Sequence, residues 1–128
     1  MQSTNSKSLL NALSALAVIS LLISGCCAYD PVLYGQLGKC KTDVAKAYKT
    51  AKSNDIDRAR EDLNQLVAVA QKDQALWCPE PASQAQDIKA IFDGTDFKRK
   101  GTKFYEHKRD NVAEAIDKAI ETQDRLKK

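Results

Sequence analysis

The chain has 128 residues, with 20 Lys and Arg against 17 Asp and Glu, one histidine and four cysteines. Such a length bounds the fold to one domain of ordinary size. A net charge of only +3 excludes the chain-wide basic footprint of a nucleic-acid binder, and no low-complexity tract divides the sequence.

The first predicted element is not part of the fold. Lys7 precedes a run of 15 mostly apolar residues, Leu9 to Ile23, interrupted by Asn11, Ser14 and Ser20. A bilayer-spanning helix needs roughly 20 apolar residues. Here small residues and a cysteine follow, without a stop-transfer cluster of charges. A charged start, an apolar middle and a small-residue exit are the grammar of a cleaved secretory signal. Ile23-Ser24-Gly25-Cys26 resembles the lipobox of bacterial lipoproteins. That resemblance implies cleavage before Cys26, a diacylglycerol on its sulfur and an acyl chain such as palmitate on its new amino group. No other cofactor is expected. One acyl chain holds a protein reversibly at about 0.8 kcal/mol per buried methylene, whereas two or three hold it almost permanently. In Gram-negative lipoproteins an Asp after the lipidated cysteine favours inner-membrane retention. Cys27 stands there, so the resemblance implies the periplasmic face of the outer membrane where the host has one. The chain thus divides into a signal peptide (1–25), a lipidated tether (26–30) and a helical domain (31–128).

Cleavage leaves 103 residues carrying 19 basic and 17 acidic side chains. Chains this short bury a modest fraction of their surface, so cross-links help, and outside the cytoplasm disulfides persist. With Cys26 acylated, Cys27, Cys40 and Cys78 permit three pairings. The expected bond joins Cys40 to Cys78, both inside the folded region. It closes about 39 residues and restricts the unfolded chain by roughly 4 kcal/mol. Cys27 is then left over, unless it takes Cys78 itself or joins two molecules. No metal site is expected, because no Cys-x-x-Cys or His-x-x-x-His spacing occurs.

The mature part reads as an all-α bundle of three or four helices. Asp30-Pro31 is an N-cap followed by proline at the first helical position. Leu33, Leu37, Cys40, Val44, Ala47, Tyr48 and Ala51 then recur at helical spacing. Gly35 and Gly38 weaken the first turns by up to about 1 kcal/mol each, which predicts a start nearer Lys39. Ser53 or Asn54 is expected to cap a second helix, with Asp55 and Asp57 in its positive first turn. Ile56, Ala59, Leu63, Leu66, Val67 and Ala70 form its apolar stripe. The two stripes describe an antiparallel hairpin. Over about 30 residues, Ala47, Ala59 and Leu63 around the Asn54-Asp55 turn are similar to positions of a tetratricopeptide repeat. The glycine and aromatic positions of that family are missing and no second copy follows, which leaves an ordinary hairpin.

Hairpin geometry strains the expected disulfide. A turn near Ser53 sets residue 40 opposite roughly residue 67, at about 1.5 Å of rise per residue, so Cys78 meets Cys40 only if the chain bends back after Lys72 or Asp73. Trp77-Cys78-Pro79-Glu80-Pro81 is a stiff connector whose prolines stop the helix. Ser83 with Gln86 resembles a capping box. Ile88, Ile91 and Phe92 give a short apolar face, and Gly94 a C-terminal stop. Residues 95–109 fit either a small hairpin around Lys100-Gly101 or a loop leading into helix after Thr102. The final helix is lined by Val112, Ala115, Ile116, Ala119, Ile120 and Leu126. Glu114–Lys118, Glu121–Arg125 and Asp124–Lys128 are acid-then-base pairs four apart on it.

Nothing in the pattern names an enzyme, and no catalytic residue is assigned. There is no Gly-x-Ser-x-Gly elbow and no Gly-rich phosphate loop. His107 stands alone, and Asp55 and Asp57 belong to a helix start. The binding candidate is the segment 97–109, where six basic residues face Glu106 alone and Phe97, Phe104 and Tyr105 are interleaved. Lys98, Arg99, Lys100, Lys103, Phe104, Tyr105, Lys108 and Arg109 would meet an anionic partner: lipid headgroups, lipopolysaccharide, a glycan or an acidic protein surface. The export signal argues against nucleic acid. The competing interpretation makes the three aromatics core residues and the bases merely solvated. The C-terminal Lys128 is similar to the lysine by which Braun-type lipoproteins join peptidoglycan, but that family's uninterrupted coiled coil is missing. The general plan, a lipidated cysteine, a helical bundle and a disulfide, is similar to that of secretion pilotins. The function expected is therefore a non-enzymatic, membrane-tethered adapter binding another envelope protein, of the kind found in secretion or conjugation machinery. An anionic-ligand binder acting through 97–109 is the second expectation. An exclusion or immunity lipoprotein of a plasmid or phage is the third.

Overall fold

The structure is a computed structural model that describes residues 27–127. The expected signal peptide, the lipobox with Cys26, and Lys128 lie outside the described residues. Among the described residues four α-helices, α1 (Pro31–Thr50), α2 (Ser53–Ala75), α3 (Glu80–Asp93) and α4 (Lys103–Leu126), are joined by short connections. A single 3₁₀ turn, Phe97–Arg99, precedes α4.

Helix α1 starts at Pro31, eight residues ahead of the expected Lys39. Asp30 Oδ1 accepts from the N–H groups of Val32 and Leu33 at 3.0 and 3.2 Å. Two orphan donors of the first turn are thereby satisfied, and Pro31 has no N–H to leave unpaired. Gly35 and Gly38 do not delay the start because they face open space: a Cβ at either would meet no atom within 4 Å. Leu33 and Leu37, on the opposite face, are buried. The helix closes on Ala51 in the left-handed region (φ 51°), whose N–H bonds to Ala47 O. Neither Ser53 nor Asn54 caps α2; the N-cap position is Lys52, without a side-chain bond. The turn is held instead by Thr50, whose hydroxyl donates to Asp55 Oδ2 at 2.6 Å and accepts from Lys52 N–H.

Helix α3 starts at Glu80 rather than at the expected Ser83–Gln86 box, because proline near its start pre-sets helical φ. Pro81 and Ala82 are buried there. Residues 95–102 form the loop alternative, not the hairpin. Asp96 caps the 3₁₀ turn through Lys98 N–H. Gly101 takes φ +92°, and Thr102 Oγ1 caps α4 through Tyr105 N–H at 3.2 Å.

Each helix runs antiparallel to its sequence neighbours. Helix α1 packs on α2 and α4, and α3 packs on α2 and α4. The four therefore close into an up-down-up-down bundle. The return of α4 onto α1 ends the likeness to an open repeat stack. Both predicted stripes of the hairpin face the core: Leu37, Cys40, Val44, Leu63, Leu66 and Ala70 are at most 2% exposed. Full burial of each leucine stabilises by about 2 kcal/mol.

Candidate functional site

The bundle has two chemically distinct ends. At the first, residues 27–30 are strapped to the bundle. Cys27 is disulfide-bonded to Cys78, with Cα atoms 5.5 Å apart. Asp30 N–H donates to Gln123 Oε1 at 3.0 Å, and Gln123 is 1% exposed. The Tyr29 and Tyr34 rings lie 5.7 Å apart, with Lys127 Nζ over both at 5.7 and 5.1 Å.

The expected Cys40–Cys78 bond is corrected: Cys40 is free and buried. Helix α2 continues without the bend that pairing required. It carries Cys78 past the start of α1 to where Cys27 lies. Cys40, mid-helix in α1, faces Asp62 of α2, its thiol donating to Asp62 O at 3.4 Å. Burial, followed by the nearby Asp62 charge, pushes this thiol up to about 12. It is inert at neutral pH.

At the second end lies the predicted basic segment, which the structure divides. Tyr105 is corrected to a core residue. It is 3% exposed and donates its hydroxyl to Tyr48 O at 2.6 Å. Phe97 is half-buried against Tyr48 and Phe92, both with ring centroids 5.2 Å away. The Tyr48 hydroxyl shares a 2.7 Å hydrogen bond with Thr95. Phe104 alone of the three aromatics points out, 56% exposed, with Lys108 Nζ 5.6 Å from its ring. Lys98, Arg99, Lys100 and Lys103 are exposed. None of these four, nor Lys108, forms an ion pair among the described residues. Arg109 does, with Asp110 at 3.0 Å.

Two shallow grooves run between these ends. One, of about 570 Å³ between α3 and α4, is lined by Gln84, Asp87, Ile91, Asn111, Ala115 and Lys118. The other, of about 220 Å³ between α1 and α4, is more apolar, with Val44, Ala45, Tyr48, Val112 and Ile116 under a Lys41–Asp117 ion pair of 2.9 Å.

Asp62 and Asp73, in the α1–α2 hairpin and unmarked in the sequence pattern, are perturbed. Asp62 is 3% exposed. Its Oδ1 lies 3.6 Å from Lys39 Nζ, while Oδ2 meets no donor among the described residues. Burial first, and then the neighbouring Asp43 carboxyl, pushes Asp62 up to about 6. Burial and the Asp30 carboxyl do the same to Asp73. Asp30 and Asp73 line a groove of about 370 Å³ beside the Cys27–Cys78 bond. Among the described residues no group of three or more His, Cys, Asp or Glu is placed to hold a metal ion, and no helix is long and apolar enough to cross a membrane.

No family model, no curated protein and no solved structure matches this chain.

Proposed function

We propose that this chain is a non-enzymatic, lipid-anchored envelope adapter. Cys26 would carry the acyl chains, and the basic end would engage an acidic surface of another envelope protein. Support comes from one observation, the opposition of the two ends. Residue 27, next to the lipobox cysteine, is strapped to one end of the bundle. The unpaired bases begin at the other end of α4, whose 24 residues span about 36 Å. The tether has no slack on the bundle side. Across that distance, several times the Debye length of about 8 Å, the bases would not feel the headgroups of the anchoring membrane. A partner standing off the membrane fits better than the bilayer's own lipid.

Two measurements on the full chain test this. Metabolic labelling with a fatty-acid probe should mark the wild type and leave Cys26→Ser unmarked; an unmarked wild type sinks the anchor. A photo-crosslinker at position 100 should give a protein adduct in intact cells. That adduct should disappear with Lys98→Glu, Arg99→Glu and Lys103→Glu combined. An adduct indifferent to those reversals and to salt would move the contact to a groove, where a partner helix could lie.

A further inference from the structure

We infer that Leu76-Trp77, the tip of the α2–α3 connector, is a membrane-inserting element that seats the strapped end of the bundle in the headgroup–acyl boundary, which presupposes the anchored adapter proposed above. Leu76 and Trp77 are 76% and 72% exposed, the most exposed large apolar side chains of the described residues. Their backbone closes α2 in a Schellman arrangement, with Cys78 N–H bonded to Asp73 O and Trp77 N–H to Gln74 O. Trp77 occupies the left-handed position of that motif, φ +67°, where glycine is the relaxed residue. A bulky side chain held in this conformation and pointing into water gives the fold nothing. Backbone strain kept at an exposed apolar residue points to something the folded chain alone does not contain.

The occupant follows from where the rest of the chain joins. Residues 1–26, with the apolar run Leu9–Ile23 and the lipobox cysteine, enter the described structure at Cys27. Cys27 is bonded to Cys78, the neighbour of Trp77. With 5.5 Å between the bonded Cα atoms and about 3.8 Å per peptide on each side, covalent geometry keeps Cys26 within about 13 Å of Trp77. Acyl chains on Cys26 would enter the bilayer beside this tip. Leucine and tryptophan are suited to that depth: the leucine to the acyl boundary and the indole to the headgroup level. The Tyr29–Tyr34 pair under Lys127 is a second amphipathic cluster at the same end. Asp30, Asp73, Glu80, Glu121 and Asp124 at this end outnumber Lys72, Arg125 and Lys127. Seating is therefore apolar rather than electrostatic, and does not require anionic lipid.

Trp77 is the only tryptophan of the chain, so its emission reports this site alone. The full-length acylated protein is reconstituted into phosphatidylethanolamine–phosphatidylcholine vesicles, with and without phosphatidylglycerol. The expected result is blue-shifted emission, shielded from aqueous iodide. Lipids brominated near the glycerol should remove about half of it, consistent with a depth of about 5–10 Å, equally in both lipid mixtures. Leu76→Ser should return part of the iodide sensitivity. Protein that co-floats with vesicles while Trp77 stays water-like and open to iodide overturns the seating and leaves the anchor standing. Shielding that ignores brominated lipid and fades on dilution assigns the tip to a second copy and equally overturns it. A protein without acyl mass on Cys26 that fails to co-float removes the anchor and the seating together.

Discussion

Asp62 shows at the scale of one residue how the bundle tolerates a charge in its core. Ionised, it has a lysine 3.6 Å away on one oxygen and no donor among the described residues on the other. A proton on the second oxygen supplies the missing interaction and removes the repulsion from Asp43. The folded chain therefore holds this proton up to about 6, against an ordinary value of 3.8. Because the folded value is the higher one, folding takes up a proton between those limits. The stabilising effect is complete below the ordinary value and is lost as pH rises through about 6. Its size is on the order of 3 kcal/mol at about 1.4 kcal/mol per unit. Asp73 acts in the same direction. Asp55, held low chiefly by its bond from Thr50, acts in the opposite one, losing its contribution as pH falls. Urea titrations should find Asp62→Asn more stable than wild type at pH 7.5, the advantage shrinking as pH falls through about 6 and vanishing only below the ordinary value of 3.8. If the variant is weaker by a constant amount across the range, the Lys39 pairing outweighs the burial and the assignment is wrong.

The hairpin of α1 and α2 is the element on which the disulfide depends. Its link is so short that residues equidistant from positions 51–52 face each other. Cys40 accordingly meets Asp62, and Cys27 meets the end of α2. Pairing Cys27 with Cys78 closes a loop with a sequence separation of 51, worth about 4 kcal/mol on the chain-entropy model. Cys27→Ser should lower the unfolding free energy by roughly that amount, and reductant should then have no further effect. Cys40→Ala should cost only about 1–2 kcal/mol as a small core truncation and keep the reductant response. The reverse ranking would restore the Cys40–Cys78 bond. The same hairpin marks what was legible in the sequence. Apolar spacing identified the buried faces of α1 and α2, because burial follows the helical period. Helix starts were not legible where they depended on what a glycine faces, as at Gly35 and Gly38, or on proline-set backbone ahead of Ser83. The bases of the candidate site were evident as a charge run, but the fate of its aromatics was not. That fate is set by the phase of α4 after Gly101 and Thr102. Extending the stripe Val112, Ile116, Ala119 back by one heptad reaches Tyr105 and buries it, turning Phe104 outward. The strap at the other end had no local signal, since Gln123 and Trp77 acquire their roles from residues distant in sequence.

At the scale of the whole molecule the bundle is a polar rod, and its polarity follows from charge placement and connectivity together. Six bases against one acid are concentrated in the 13 residues from 97 to 109, while residues 27–96 and 110–127 carry more acids than bases. Under the proposed attachment by its strapped end, a rod so charged would present one sign of potential away from the membrane and would steer acidic partners to its far end. Orientation is therefore measurable without knowing the partner. Cys27 and Cys78 are bonded and Cys40 is buried. An acylated Cys26 adds no thiol, so Lys100→Cys would be the only accessible one. A fluorophore there, with acceptors on the lipid headgroups, should report a separation of about 35–40 Å, the length of α4 plus its preceding turn. If the strap and a seated tip hold the rod upright, raising the salt should leave that distance unchanged, since attraction along its side would then play no part. A separation of about 10 Å would mean that the bundle lies flat with its bases on the headgroups. The anionic-lipid function would then replace the adapter, even with Cys26 fully acylated.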